Sequence, residues 1–341
     1  MANNLLDKAS VVLTPTAYNN GEALCVKPSD GSGDFDFSRN SAATRVNAQG
    51  LVENVQILSS NLVQNPSFSE EGVQEISNGS FSQEGVQLVT NGSFDTDSNW
   101  NGVNTNGVTI SNGSLNFSET PNGTNITQSN VVEIGKSYKV TFTISNYVKG
   151  GILVVFGAGG VTQEISANGT FTLYGVASIN TVLYIQARGA SGTTLSIENC
   201  SVREVGQDWV LVNDVSIGNG VATFLDGGSN LNTQLKQNNI LTSGKTYKLT
   251  FDIARYVAGQ VQVFIGGGAT LNVDISNGVG TYTIYGLSEG TNLVIKRSGG
   301  YPNFDFDITN ISVKEVGMDW DLGTGWEIGD SVATKSGTDL S

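Results

Sequence analysis

A fourteen-residue stretch that occurs twice limits the folds open to this chain. Gly135-Lys136-Ser137-Tyr138-Lys139-Val140-Thr141-Phe142-Thr143-Ile144-Ser145-Asn146-Tyr147-Val148 returns as Gly244-Lys245-Thr246-Tyr247-Lys248-Leu249-Thr250-Phe251-Asp252-Ile253-Ala254-Arg255-Tyr256-Val257. In both copies Tyr, Val or Leu, Phe and Ile alternate with mostly Lys, Thr and Asp, the period of a strand with one buried and one wet face. The Gly-Lys in front reads as a turn. The pattern predicts a half-buried antiparallel strand inside a duplicated domain.

The copies lie about 110 residues apart in 341, room for two medium domains and a leader. Forty-three Gly against five Pro, with many Asn, Ser and Thr, predict an all-β chain of short strands and tight turns. A net charge of −14 repels phosphate backbones, which excludes nucleic acid as a partner. The start lacks a basic end followed by an apolar run, and no run of about 18 apolar residues occurs. A soluble chain with no export signal and no membrane insertion is therefore expected. Cys25 and Cys200 are too few for a disulfide scaffold, and Cys200 sits where the second copy has Ile311, as a small buried hydrophobe would.

Residues 1–58 differ from the rest. The string Phe37-Ser38-Arg39-Asn40-Ser41-Ala42-Ala43-Thr44-Arg45-Val46-Asn47-Ala48-Gln49-Gly50-Leu51-Val52-Glu53 has too few regularly spaced apolar residues for a core of its own. This leader is expected to pack on something else, either the following domains or another protein chain. Residues 59–87 carry a thirteen-residue repeat marked by Asn65-Pro66-Ser67-Phe68 and Asn78-Gly79-Ser80-Phe81, and Asn91-Gly92-Ser93-Phe94 opens the next segment. One aromatic and two aliphatic residues per unit are too little to bury alone. Two readings stand: a stalk, as in a trimeric fibre, or copies of a domain's opening strand strung out as a linker.

Two longer repeats span 88–206 and 207–317. Ile152, Val154 and Phe156 match Val261, Val263 and Ile265, and the glycine clusters after them precede β-type sequence, which excludes a phosphate loop that needs a helix start. Each repeat closes on a shared strand in which apolar residues alternate and then skip three places, from Ile197 to Cys200 and from Ile308 to Ile311; a β-bulge would restore the inward face. Around eight strands in ~110 residues indicate tandem β-sandwiches of jelly-roll type. Residues 318–341 begin a third copy, Met318-Asp319-Trp320 paralleling Gln207-Asp208-Trp209. They are expected either to belong to a longer fibre or to complete a neighbouring chain.

The leader motif, residues 37–46 followed by Gly50-Leu51-Val52-Glu53, resembles the N-terminal segment of virion proteins in tailed bacteriophages of the crAss-like and marine kinds. The tandem domains, with Asn91-Gly92-Ser93-Phe94 at the opening, Gly-Lys-x-Tyr-Lys-Val/Leu-Thr-Phe in the middle and Asn-x-Ser-Val-Arg/Lys-Glu at the close, resemble carbohydrate-binding-module-like jelly rolls of phage fibres and bacterial surface proteins. The resemblance implies a structural component of the virion exterior, a head or tail fibre. It implies attachment to other virion proteins through Phe37, Arg39, Arg45 and Leu51, a homo-oligomer with a trimer favoured, and contact with host-surface glycans. The alternative is a bacterial or secreted carbohydrate-binding adhesin, and behind it a polysaccharide depolymerase.

A chain without histidine cannot build Ser-His-Asp or Cys-His catalysis and lacks the commonest metal ligand. Asp95/Asp97, Asp305/Asp307 and Asp319/Asp321 formally allow two-carboxylate glycoside hydrolysis. Asp305 and Asp307 alternate with Phe304 and Phe306, so they should face solvent, and the first copy has Thr194 and Ser196 there. No enzyme and no cofactor are expected, apart from a structural calcium ion in loops such as Asp95-Thr96-Asp97. Carbohydrate-binding modules stack sugars on exposed rings, which makes the equivalent Tyr147 and Tyr256 the candidates; Trp100, Trp209, Trp320 and Trp326 are expected to plug junctions between units.

Overall fold

The computed structural model describes the backbone of residues 13–19, 22–25, 43–46 and 52–55, and residues 50, 63–228, 232–299, 303–323 and 325–335 with their side chains. The chain divides into two compact units, Met1–Gln64 and Asn65–Ser341. In the first, β1 (Leu13–Asn19) pairs with β2 (Glu22–Cys25) and β3 (Ala43–Val46) with β4 (Val52–Val55), both antiparallel. The second begins with the short β5 (Glu71–Gln74) and holds two jelly rolls in series.

Module 1 consists of β6 (Val108–Ser111), β7 (Ser114–Thr120), β8 (Asn125–Gln128), β9 (Ser137–Lys149), β10 (Gly151–Phe156), β11 (Gly160–Val161), β12 (Gly169–Val176), β13 (Leu183–Arg188) and β14 (Thr193–Val205). Its sheets have the orders β12-β9-β14-β7-β6 and β11-β10-β13-β8. Module 2 consists of β15 (Val210–Val212), β16 (Val215–Gly218), β17 (Val221–Leu225), β18 (Gln234–Gln237), β19 (Thr246–Ala258), β20 (Val261–Ile265), β21 (Leu271–Val273), β22 (Gly280–Leu287), β23 (Leu293–Arg297) and β24 (Asp305–Val316). Its orders are β16-β17-β24-β19-β22 and β15-β18-β23-β20-β21, with β5 added on β24. From β7 to β14 the chain keeps passing between the two sheets, so most strands that pair are distant in sequence. This is the jelly-roll winding. A final hairpin, β25 (Trp326–Gly329) and β26 (Val332–Lys335), lies beyond module 2, and no helix occurs among the described residues.

The duplicated stretch is an interior strand of each larger sheet, paired on both sides. Tyr138, Val140, Phe142 and Ile144 of β9 and Tyr247, Leu249, Phe251 and Ile253 of β19 are all buried, while Lys139, Thr141 and Thr143 face outward. Burying each such side chain stabilises the fold by about 1.5–3 kcal/mol. The polar tips of the buried tyrosines are satisfied: the Glu133 N–H donates to Tyr138 Oη at 2.7 Å and the Thr242 N–H to Tyr247 Oη at 2.9 Å. Each closing strand bulges at the three-place skip, with Asn199 at φ 53° and Asn310 at φ 50° in the left-handed region that Asn tolerates. The bulges turn Cys200 and Ile311 into the cores.

Residues 65–94 are built into the modules as a strap. The Cys200 N–H donates to Gly92 O at 2.8 Å and the Ile311 N–H to Gly79 O at 2.9 Å. In each thirteen-residue unit the Asn and the Phe both adopt left-handed backbone: Asn65 and Phe68 at φ 44° and 53°, Asn78 and Phe81 at 49° and 54°, Asn91 and Phe94 at 53° and 57°. The same Asn carbonyl accepts an indole N–H, from Trp320 to Asn65 at 2.9 Å, from Trp209 to Asn78 at 3.0 Å and from Trp100 to Asn91 at 3.1 Å. The Phe ring of each unit lies 5.0, 5.4 and 5.5 Å from that indole, centroid to centroid. A left-handed Phe costs about 1–2 kcal/mol, which burial of the Phe81 and Phe94 rings offsets, while Phe68 is half-buried. The units thus serve the modules in reverse order: the third clasps module 1, the second module 2, and the first the start of the third copy.

The modules join head to tail through one repeated joint. The Trp209 N–H bonds Gly206 O and the Trp320 N–H bonds Gly317 O, both at 3.2 Å. Ile217 packs over Gly206 and Ile328 over Gly317, where a Cβ would collide with their side chains. The Tyr174 ring lies against Gly218, and Tyr285 against Gly329. The buried Ile217 N–H also donates to Ser137 Oγ of module 1 at 3.0 Å. The head-to-tail repetition is that of a solenoid, in which each unit contacts its neighbours.

Candidate functional site

In most strands here one face is apolar and the other polar. β10 departs from this: its run Ile152-Leu153-Val154-Val155-Phe156 is buried throughout. Ile152, Val154 and Phe156 belong to the core of module 1, which leaves Leu153 and Val155 on the outer face of the smaller sheet. The register places Tyr184 beside Val155 and Gln186 beside Leu153, with Thr127 and Asn125 of β8 on the far side of β13. Of these, Leu153, Val155, Tyr184, Gln186 and Asn125, with Ala158, Val161 and Arg188, line a groove of about 280 Å³.

The groove has an apolar floor and a polar rim. The Tyr184 hydroxyl is held by the Asn180 amide at 2.9 Å, and Gln186 Nε2 donates to Asn125 Oδ1 at 2.9 Å, which fixes the rim amides. No ion pair ties down Arg188 among the described residues. A ring, two aliphatic side chains, two amides and a guanidinium can cover the apolar face of a sugar while hydrogen-bonding its hydroxyls or a carboxylate. At the matching positions module 2 carries Gln262, Phe264, Val294 and Lys296, with Gln262 Nε2 donating to Asn272 Oδ1 at 3.0 Å. The two modules therefore present different chemistry on the same face. The sequence signal was the unbroken apolar run in β10, which core matching alone accounts for only at alternate residues.

Tyr147 and Tyr256 stand near the ends of β9 and β19, half-buried, each packed against its module's core. The Tyr256 hydroxyl donates to Gly259 O at 3.2 Å. Phe37, Arg39 and Leu51 lie outside the described residues; Arg45 is in β3, opposite Glu53 of β4, and its side chain is outside the description. Asp305 and Asp307, expected to face solvent, are half-buried partners of Arg255. Arg255 Nε and Nη2 reach the two Asp307 oxygens at 2.8 and 3.0 Å, and Nη2 reaches Asp305 Oδ1 at 2.6 Å. Both carboxylates are thus engaged in holding β19 to β24. Asp95 Oδ2 accepts from Ser93 Oγ at 2.6 Å and Asp97 Oδ2 from Asn104 Nδ2 at 2.7 Å. Among the described residues no three His, Cys, Asp or Glu come together as a metal site.

No family model matches the chain, and no curated protein matches it. Among solved structures it is similar to the N-terminal CBM22-1-CBM22-2 tandem domain of Paenibacillus barcinonensis Xyn10C, at 11% identity and a TM-score of 0.27, covering 69% of this chain and 99% of that one. It is also similar to the tandem CBM51 modules of Sp3GH98 from Streptococcus pneumoniae SP3-BS71, at 8% identity and a TM-score of 0.21, covering 72% and 96%. A Paenibacillus xanthan lyase is similar at 18% identity and a TM-score of 0.23, with 65% of this chain but 25% of that one covered. Likeness this low carries nothing about ligands. The class is fixed by the strand order itself: a tandem β-sandwich protein of jelly-roll type.

Proposed function

We propose that this chain is a non-catalytic structural protein of a tailed-phage virion, a head or tail fibre that presents tandem jelly rolls to host-surface glycans. The observation that carries the display role is the strap. One upstream segment clasps each module in turn, so the modules form a continuous stack instead of beads on free linkers. The leader motif around Phe37, Arg39, Arg45 and Leu51 supports the virion side of this reading, and the groove around Tyr184 supports the glycan side. Weak sugar contacts add up over many copies on one particle.

Two experiments separate these parts. Deleting residues 1–58 is expected to leave folded modules that no longer join the particle; incorporation at the normal level would refute the leader as the docking part, and a full-length chain that never joins the particle would move the reading to a cell-surface adhesin. Against a panel of host-surface oligosaccharides, Tyr184→Ala and Arg188→Ala are each expected to weaken binding about tenfold, the equivalent of about 1.4 kcal/mol, with the thermal midpoint unchanged. Affinity that survives both substitutions would place sugar contact elsewhere, with Tyr147 and Tyr256 as the next residues to replace.

A further inference from the structure

The first strap unit has a clasp whose partner is incomplete. Asn65 is buried, and its Nδ2 donates to Met318 O at 3.3 Å, as Asn78 Nδ2 donates to Gln207 O at 3.3 Å. Asp319 repeats the backbone of Asp208, both at φ 72°, and β25–β26 sits on module 2 as β16–β17 sits on module 1. Beyond Asp319 the likeness in packing ends. Trp320 is 40% exposed where its counterpart Trp209 is 7% exposed, and Trp326 is 44% exposed where Val215 is 3% exposed. β15 pairs with β18, whereas the matching residues 321–323 have no strand partner among the described residues. An opening of about 790 Å³ separates Trp320, Leu322 and Trp326 from Lys245, Leu287 and Glu315 of module 2.

We infer that the first strap unit and residues 318–335 form the seat of a third jelly-roll module, which starts on β25–β26 and covers Trp320 and Trp326 with the strands that β18 to β24 supply in module 2. The interface is continuous with an established one: each unit of the strap clasps one module, and three units call for three. A single position sets a condition on the occupant. Pro66 stands where Gly79 and Gly92 stand in the other units, and a Cβ at either glycine would collide with the bulge carbonyl of Ile311 or Cys200. The closing strand of the third module therefore lacks a bulge in that register. The inference does not depend on the virion reading, since it concerns only how modules stack.

The test replaces residues 336–341 with a second copy of residues 225–317, in a Pro66→Gly background that admits the copied bulge. Acrylamide quenching of the four tryptophans is the first readout. In the unextended chain about half of the emission should be quenchable, from Trp320 and Trp326, since Trp100 and Trp209 are buried. In the extended chain the quenchable share should fall to nearly none, and Pro66 restored in that chain should raise it again. An added segment that resists protease while both tryptophans stay open would overturn the inference, as would one digested back to Lys335. A second measurement uses the unextended chain. Asn65→Ala with Phe68→Ser should speed hydrogen exchange in residues 318–335 and leave modules 1 and 2 unchanged. Unchanged exchange there, or self-association of the unextended chain that shields Trp320 and Trp326, would also overturn it.

Discussion

Gly79 and Gly92 are the residues on which the strap's closest approach depends, because each faces a backbone carbonyl that has no freedom to retreat. Gly79→Ala should destabilise module 2 by about 2–3 kcal/mol and Gly92→Ala module 1 by a similar amount, the range for overpacking a tight site. Urea unfolding followed by tryptophan emission checks this, with Trp209 and Trp100 reporting on the two modules. Equal loss in both modules from either substitution would mean that the strap is not clasping them one by one. Cys200, facing Gly92, was legible as a core hydrophobe from its match to Ile311, and burial pushes its thiol up to about 12. It should react with thiol reagents only on unfolding. The glycines were not legible as contact points, because the carbonyls they approach lie more than a hundred residues further along the chain.

Among the elements, the strap is held by charge as well as by backbone. Lys248 and Lys314 reach Glu71 at 2.6 and 3.0 Å, and Lys139 reaches Glu84 at 2.6 Å. The hydrogen bonds from Lys248 and Lys314 hold the Glu71 carboxyl below its ordinary value of 4.5. A carboxyl depressed in the folded state adds stability above its unfolded value and loses it as the pH falls through the folded one. The hydrogen bond that Lys248 donates to Glu71 holds its ammonium above 10.5, so its contribution is present below that pH and lost above it. Stability of module 2 should therefore be flat in this pair between these limits and fall below about pH 4.5, and Glu71→Gln should flatten the acid limb. Exposed pairs of this kind contribute about 0.2–1 kcal/mol each, so the comparison is made by urea midpoint across pH, wild type against variant. An acid limb unchanged in Glu71→Gln would remove the pair from the clasp. The alternation in β9 and β19 made these strands readable in the sequence, since one residue in two meets the core. The groove was harder to see, because β10 is apolar on both faces and the match to β20 explains only the inward set.

For the whole molecule, the period of the strap sets which module each clasp serves. Deleting residues 78–90 removes one thirteen-residue unit and keeps the register of the rest. The Asn65 unit would then take over Trp209, Glu71 would face Lys139 in place of Glu84, and Trp320 would lose its partner. Module 1 should keep its stability, because Asn91, Gly92 and Phe94 are untouched. Module 2 should weaken, because Pro66 now stands where Gly79 met the Ile311 carbonyl and Glu71 has left Lys248 and Lys314, and Pro66→Gly in the deleted chain should restore only the part that Gly79 supplied. Trp320, already 40% exposed, should be quenched by acrylamide more strongly once Asn65 and Phe68 leave it. Deleting residues 78–89 instead puts every clasp upstream of Asn91 out of register by one residue, so module 2 should lose its clasp with either residue at position 66. Urea unfolding of the four variants decides between a strap and a passive tether: a tether is indifferent to one residue in thirteen, and the two deletions would then unfold alike.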